Sequence, residues 1–298
     1  MAVGEPERGL TRRDFIRMAA YAALGTAVGA EVLAGEEGPS ARTARVVLVR
    51  DENAVAGDGK LSASVIERMI DQAVAELLGT DNAVDGWRRL VKPSELVGIK
   101  TNAWQYLPTP SEVENVIRQR LLDAGIARDG IRMDDRGARR TLAPCAALIN
   151  ARPVRSHHWA GIGGCIKNHI MFAPRPSVYH PDSCADLAAV WNLPVVRGKT
   201  RLNILVALTP LFWGRGPHHW DKRYVWPYKG IFVSQDPVAV DALGAHLLQT
   251  KRRLHFGEEK PITPTKHIAM ADRRHHLGVS DLKRIDFVKL GWTEDALI

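Results

Sequence analysis

Short apolar runs rich in β-branched residues recur along the chain. They predict buried strands over 45–50, 96–101, 131–134, 202–208, 230–234 and 285–290. Between them the apolar period lengthens. Val65, Ile66, Met69, Ile70, Val74, Leu77 and Leu78 share one face of a helix that Ser62 or Ser64 starts and Gly79 ends. A short helical piece follows over 87–91. Val113, Val116, Ile117, Leu121 and Leu122 mark another amphipathic helix, opened at Pro110-Ser111 and closed by Gly125. Asp236 as N-cap, with Pro237 at the first helical position, starts a helix through Leu248. Residues 264–275 read as a further helix. Strands and helices alternating at this spacing predict βαβ units and an α/β fold, a mostly parallel sheet flanked by helices.

The stretch 136–200 follows neither period. It is rich in Gly, Pro, His and Trp and holds one predicted helix, over 184–191. It therefore reads as a long irregular segment of functional loops. Residues 211–228 read as an aromatic loop holding Trp213, Trp220, Tyr224, Trp226 and Tyr228.

The first thirty residues have a different pattern. Arg12 and Arg13 precede Phe15 and Ile16, and an uncharged run rich in small residues extends from Met18 to Ala30. This is the layout of a twin-arginine export signal over 1–30, with small residues for cleavage at Val28-Gly29-Ala30. The run is too short to span a bilayer. The expected partner is the twin-arginine translocation machinery, and the expected location is periplasmic or extracellular. An uncleaved signal would leave a weak membrane anchor. The plain alternative is a cytosolic protein with an amphipathic N-terminal helix. Residues 31–44 read as a linker and 45–298 as a single α/β domain.

The formal net charge of the 298-residue chain is +8, little of it from the leader. Such an excess suits an anionic ligand. No nucleic-acid-binding motif accompanies it, so nucleic acid is not an expected partner. The runs Lys251-Arg252-Arg253 and Arg273-Arg274-His275-His276 read as solvated helix faces. Three cysteines, Cys145, Cys165 and Cys184, without a C-x-x-C pair, leave no iron–sulfur cluster expected within one chain. One disulfide is compatible with the count, but spacing does not choose its pair.

Candidate chemistry gathers at four places. Val97-Gly98-Ile99-Lys100-Thr101-Asn102 ends a strand in a Lys and an Asn, where open parallel sheets bind ligands. A lysine supplies a point charge for a carboxylate or phosphate, and an asparagine both donates and accepts. Gly161-Ile162-Gly163-Gly164-Cys165-Ile166-Lys167-Asn168-His169 joins a turn-forming glycine run to three polar groups, without the spacing of a phosphate-binding Walker loop. Cys165 beside Lys167 and His169 is either an activated thiol or a buried structural cysteine. In Ser234-Gln235-Asp236-Pro237-Val238-Ala239-Val240-Asp241, capping accounts for Asp236. Asp241 instead lies on an apolar helix face, where a carboxylate needs a partner: Lys100, Lys167, a backbone N–H or a metal. Finally, His157-His158 and His218-His219, with His169, His180 and aspartates, are candidates for a mononuclear metal site, although no defining spacing supports one.

Together the Val97–Asn102 motif, the following helix, Asp134-Asp135, Ile166-Lys167-Asn168-His169 and the Ser234–Asp241 motif resemble the DUF362 family over about residues 90–250. Members often carry an export signal. Some have fused ferredoxin-type cysteine motifs, which this chain lacks. Thr101 stands where a proline is expected in the family. The resemblance implies no activity. The residues then support an exported protein that binds or acts on a small anionic compound, with a divalent metal as an open option. Lys100, Asn102, Asn168, Asp236 and Asp241 are expected to bind ligand. His169 and Lys167 are the catalytic candidates, His169 as an acid or base near neutral pH. Asp241 and His169 are the metal candidates. The alternative is a non-catalytic accessory factor that docks a redox or metalloenzyme partner through the aromatic loop 213–228.

Overall fold

In the computed structural model, which describes residues 42–214, 220–261 and 263–298, seven strands lie in the order β3-β2-β4-β6-β7-β1-β8, and β5 pairs with β4 alone. The strands are β1 (Ala44–Arg50), β2 (Val97–Lys100), β3 (Ile131–Asp134), β4 (Ala147–His157), β5 (Gly161–Gly163), β6 (Thr200–Leu211), β7 (Gly230–Ser234) and β8 (Ile285–Gly291). The pairs β2–β3, β2–β4, β4–β6 and β1–β8 are parallel. Antiparallel β7 is inserted between β6 and β1, and β5 runs antiparallel to the end of β4. This is the expected α/β fold with a mostly parallel sheet, and Thr43–Ile298 form one compact unit. The export leader and most of the linker lie outside the described residues, as do His218 and His219. Among the described residues no helix is long and apolar enough to cross a membrane.

Each sheet face carries its own apolar core, as a sheet covered by helices on both sides requires. On one face, Val47, Val49, Val97, Ile99, Ile149 and Ile204 pack with α1 (Ala63–Leu78), α2 (Ala83–Leu90) and α3 (Ser111–Asp123). On the other, Leu48, Leu148, Val154 and Leu205 pack with residues of the long helix Pro237–Phe256. Gly79 ends α1 as expected, in the left-handed region with φ 59° and ψ 53°. Helix α2 starts at Ala83, four residues before the expected 87, because the Asn82 side chain caps it there. The β2–α3–β3 crossover is a true βαβ unit. The stretch from β1 through α1 and α2 to β2 is not, because β1 lies between β7 and β8, away from β2.

The stretch 136–200 is more ordered than its composition suggests. It contains β4, a strand eleven residues long and buried throughout, between β2 and β6. Two features mask it in the sequence. Buried Asn150, Arg152, Arg155, Ser156 and His157 break the apolar pattern, and Pro153 argues against a central strand. The proline is accommodated where the register with β6 shifts, between Pro153 and Arg155. The predicted helix over 184–191 is instead a turn at Pro181–Cys184 followed by a 3-10 helix, Leu187–Asn192. In order, α4 is Ala138–Thr141, α5 Cys165–Asn168, α6 Pro237–Phe256 and α7 Lys266–Arg273.

Helix α6 runs eight residues beyond its expected end, and Arg252 is buried on it rather than solvated, donating to the Phe212 carbonyl at 3.0 Å. Asp236 starts this helix. Its Oδ1 accepts the N–H groups of Val238 and Ala239 at 2.8 and 3.0 Å, and its Oδ2 accepts that of Val279 at 2.9 Å. Asp236→Ala is therefore expected to lower stability by about 2 kcal/mol, measured by urea unfolding, through loss of the cap.

Candidate functional site

Lys100, the last residue of β2, is fully buried and faces the end of β3 in parallel register with Asp134. Its ammonium donates to Asp135 Oδ1 at 2.5 Å, to the Thr101 carbonyl at 2.7 Å and to Asn168 Oδ1 at 3.4 Å. Burial lowers its pKa to about 8 against the opposing charge of Asp135. Burial alone would raise the Asp135 carboxyl. Lys100 and the N–H of Ala103, 2.7 Å from Oδ2, outweigh it and hold the group below the usual carboxylate range. The positive charge of Lys100 is thus matched by Asp135, a residue that the sequence marks only as part of a strand end.

Asn168 belongs to a chain of amides that crosses the sheet. Its Nδ2 donates to Asn150 Oδ1 at 2.8 Å and to the Lys100 carbonyl at 3.1 Å. Asn150 donates in turn to Asn203 Oδ1 at 2.9 Å, and Asn203 to the carbonyls of Ser234 and Gln235. These buried amides join β2, β4, β6 and β7, and their partners make burial tolerable. Asn102 approaches the same group, with Nδ2 3.5 Å from Asn168 Oδ1, while its own Oδ1 accepts Arg155 Nη1 at 2.9 Å.

Asp241 finds neither lysine. Its Oδ1 accepts the N–H of Cys165 at 2.6 Å and its Oδ2 that of Ile166 at 2.9 Å, satisfying the first donors of α5. Burial pushes the carboxyl up to about 7 against these two donors and the nearby charge of Arg152. Gly164 permits this approach, since a Cβ there would stand 2.2 Å from Asp241 Oδ1. Asp241 and Asp236 are thereby helix anchors. His169 lies flat on Trp191, with ring centroids 4.0 Å apart, and its Nε2 is 2.9 Å from Thr200 Oγ1. Burial, then Lys100, drives its pKa well below the ordinary value, so it does not titrate near neutrality as expected. Among the described residues no group of three or more His, Cys, Asp or Glu is placed to hold a metal ion. The three cysteines are buried free thiols, and burial raises the pKa of each. Cys165 is therefore not an activated nucleophile.

Lys167 stands apart from these satisfied groups. It is 4 % exposed on α5, and its ammonium meets only the Cys184 thiol, at 3.8 Å, among the described residues. Burial lowers its pKa to about 8, and Arg152 and Arg155 add to the effect. The side chain of Arg152, on β4 and 4 % exposed, makes no hydrogen bond or ion pair among the described residues, and its Nε is an orphan. Arg155 donates to Asn102 and lies over the Trp104 ring at 4.2 Å, and its Nε is also unpartnered. His157, His180 and His267 feel this positive field. Burial first, then Lys167, lowers all three, to about 4 for His180 and about 3 for His267. His267, on α7, is fully buried with neither ring nitrogen bonded.

Arg152, Arg155 and His267 do not stand out in the sequence. The spacing Arg152-Pro153-Val154-Arg155 is the only available signal, and Pro153 argues there against a strand. The described rings of the aromatic loop differ in their packing. Tyr228 is buried, and Trp213, Tyr224 and Trp226 pack against the core. Trp220 instead stacks on Tyr106, 5.5 Å between centroids, beside Trp104.

Residues 129–246 match the family described as Domain of unknown function (DUF362), the family that the motifs resemble. The matched span holds Arg152, Arg155, Lys167 and Asp241 and begins after Lys100. No curated protein and no solved structure matches the chain.

Proposed function

We propose that this DUF362-matching chain is an exported protein that binds a small dianion, such as a phosphate monoester or a dicarboxylate, at Arg152, Arg155 and Lys167. One observation carries the reading. Lys100, Lys167, Arg152 and Arg155 are all buried, whereas among the described residues the buried carboxylates that act on them are Asp135, paired with Lys100, and Asp241, held by backbone N–H groups, with half-buried Asp134 adding to the field at Lys100. Cations enclosed in excess of carboxylates are costly in the absence of an anion. A doubly charged ligand neutralises the excess, and the unpartnered donors of Arg152, Arg155 and His267 supply hydrogen bonds for its oxygens. A phosphate monoester is a dianion above its second pKa of about 6. The export reading rests on the leader pattern of residues 11–30.

Binding of ethyl phosphate, followed by calorimetry and thermal unfolding at pH 7.5, tests this. At ten times the dissociation constant a single site stabilises by about 1.4 kcal/mol. For a domain of this size that raises the melting temperature by about 3–5 °C. Ethylamine at the same ionic strength should give no shift. A shift that follows ionic strength alone, with no saturation, would exclude the site.

A further inference from the structure

Two sets of aromatic rings border the buried cations. In the first set Trp159 is 42 % exposed yet held in place. Its backbone N–H donates to His157 Nδ1 at 3.2 Å, and its ring stacks on His180 with centroids 4.0 Å apart. The Cys184 thiol lies 3.8 Å from both the Lys167 ammonium and the His180 carbonyl, which ties this set to the lysine. In the second set Tyr106 is also 42 % exposed and stacks on Trp220, while Trp104 packs edge-on to both. The face of Trp104 carries the Arg155 guanidinium. Each set therefore touches a member of the cationic group or a histidine next to it. Single exposed apolar residues need no explanation. Two ordered sets, each in contact with a member of one cationic group or with a histidine beside it, do, because an inorganic anion would make no use of them. Small-molecule sites combine such apolar walls with a few polar groups that fix orientation.

We propose that the dianion bound here carries a planar aromatic ring, stacked on the exposed face of Trp159, with its charged group directed to Lys167 and Arg152. This rests on the anion reading above and names the organic part of the ligand. Charge and ring act separately, since the guanidinium and ammonium groups take the anion and the indole takes the π-face.

Phenyl phosphate and ethyl phosphate form a matched pair: the same dianion with and without a ring. Calorimetry on the full chain at pH 7.5 is expected to give phenyl phosphate an affinity about tenfold higher, the scale of one stacked ring. Trp159→Ala is expected to shrink that ratio to about twofold. Because Trp159 is exposed, the substitution leaves the core packing in place. Equal affinities in the wild-type protein would overturn the aromatic assignment while leaving the dianion site standing. An unchanged ratio in Trp159→Ala would overturn the placement of the ring on Trp159. Binding of neither phosphate would overturn the dianion reading itself, and this inference with it.

Discussion

Replacing Lys167 with methionine is expected to stabilise the unliganded protein by about 2–3 kcal/mol at pH 7 and to weaken ethyl phosphate binding about 10- to 150-fold. The two effects share one origin. Burial moves the lysine from its ordinary 10.5 to about 8, so at neutral pH the folded state still holds the proton but less tightly than the unfolded chain does, and the buried charge costs stability. Every tenfold loss of proton affinity on folding corresponds to about 1.4 kcal/mol. Methionine fills a similar volume without the charge. The loss of ligand affinity is that of one charged hydrogen bond, about 1.5–3 kcal/mol. Between about pH 8 and 10.5 the unfolded chain keeps its proton and the folded chain does not, so Lys167 makes wild-type stability rise with pH there. The advantage of the methionine variant is greatest below pH 8 and disappears toward pH 10.5. Wild-type affinity for ethyl phosphate falls above pH 8 as the ammonium is lost. Urea unfolding across pH, paired with calorimetry, measures both effects. A lysine with only a structural role would give lower stability on substitution and no change in affinity after correction for the folded fraction.

Local chemistry was legible in the sequence wherever one element carried its own signal. Gly79 and the Asp236-Pro237 pair mark helix ends through contacts a few residues long, and the apolar faces of α1 and α3 repeat at the helical period. Asp241 was legible in part. A carboxylate among Val238, Val240 and Leu243 has to be satisfied, and it is fully buried and satisfied. Which of four kinds of partner it takes depends on a contact across 76 residues, which no local pattern encodes. Strand β4 was illegible for a related reason. Its buried polar residues are explained by partners on other elements, Asn150 by Asn203 and Arg155 by Asn102, so the segment looks irregular until the sheet is assembled. The cationic centre lies on that strand and on α5. As a result the sequence pointed to Lys100 and Lys167 together, whereas the structure neutralises Lys100 with Asp135 and leaves Lys167 beside Arg152 and Arg155.

Asp241→Ala should have the largest effect on stability, a loss of about 3 kcal/mol in urea unfolding, because it leaves two buried N–H groups without acceptors. Asp241→Asn keeps one acceptor and turns an amide N–H toward the other donor, so about half that loss is expected. Gly164→Ala attacks the same joint from the other side, since its Cβ would meet all three atoms of the carboxylate at 2.2–2.7 Å. That overlap cannot be relieved without moving α5. The joint matters to the anion because α5 carries Lys167. A shift of the helix moves the ammonium relative to Arg152 on the sheet, so all three substitutions should weaken ethyl phosphate binding in proportion to the stability they remove. The pH dependence separates the carboxylate from simple packing. Its pKa is raised from 3.8 to about 7 in the folded state. Asp241 therefore favours folding most below about pH 4, and that contribution is lost as pH rises toward 7. Asp241→Asn flattens this part of the stability profile, whereas Gly164→Ala lowers the whole curve. If Asp241→Asn abolished ethyl phosphate binding with stability unchanged, the carboxylate would contact the ligand or an ion bound with it, and its role as the anchor of α5 would be wrong.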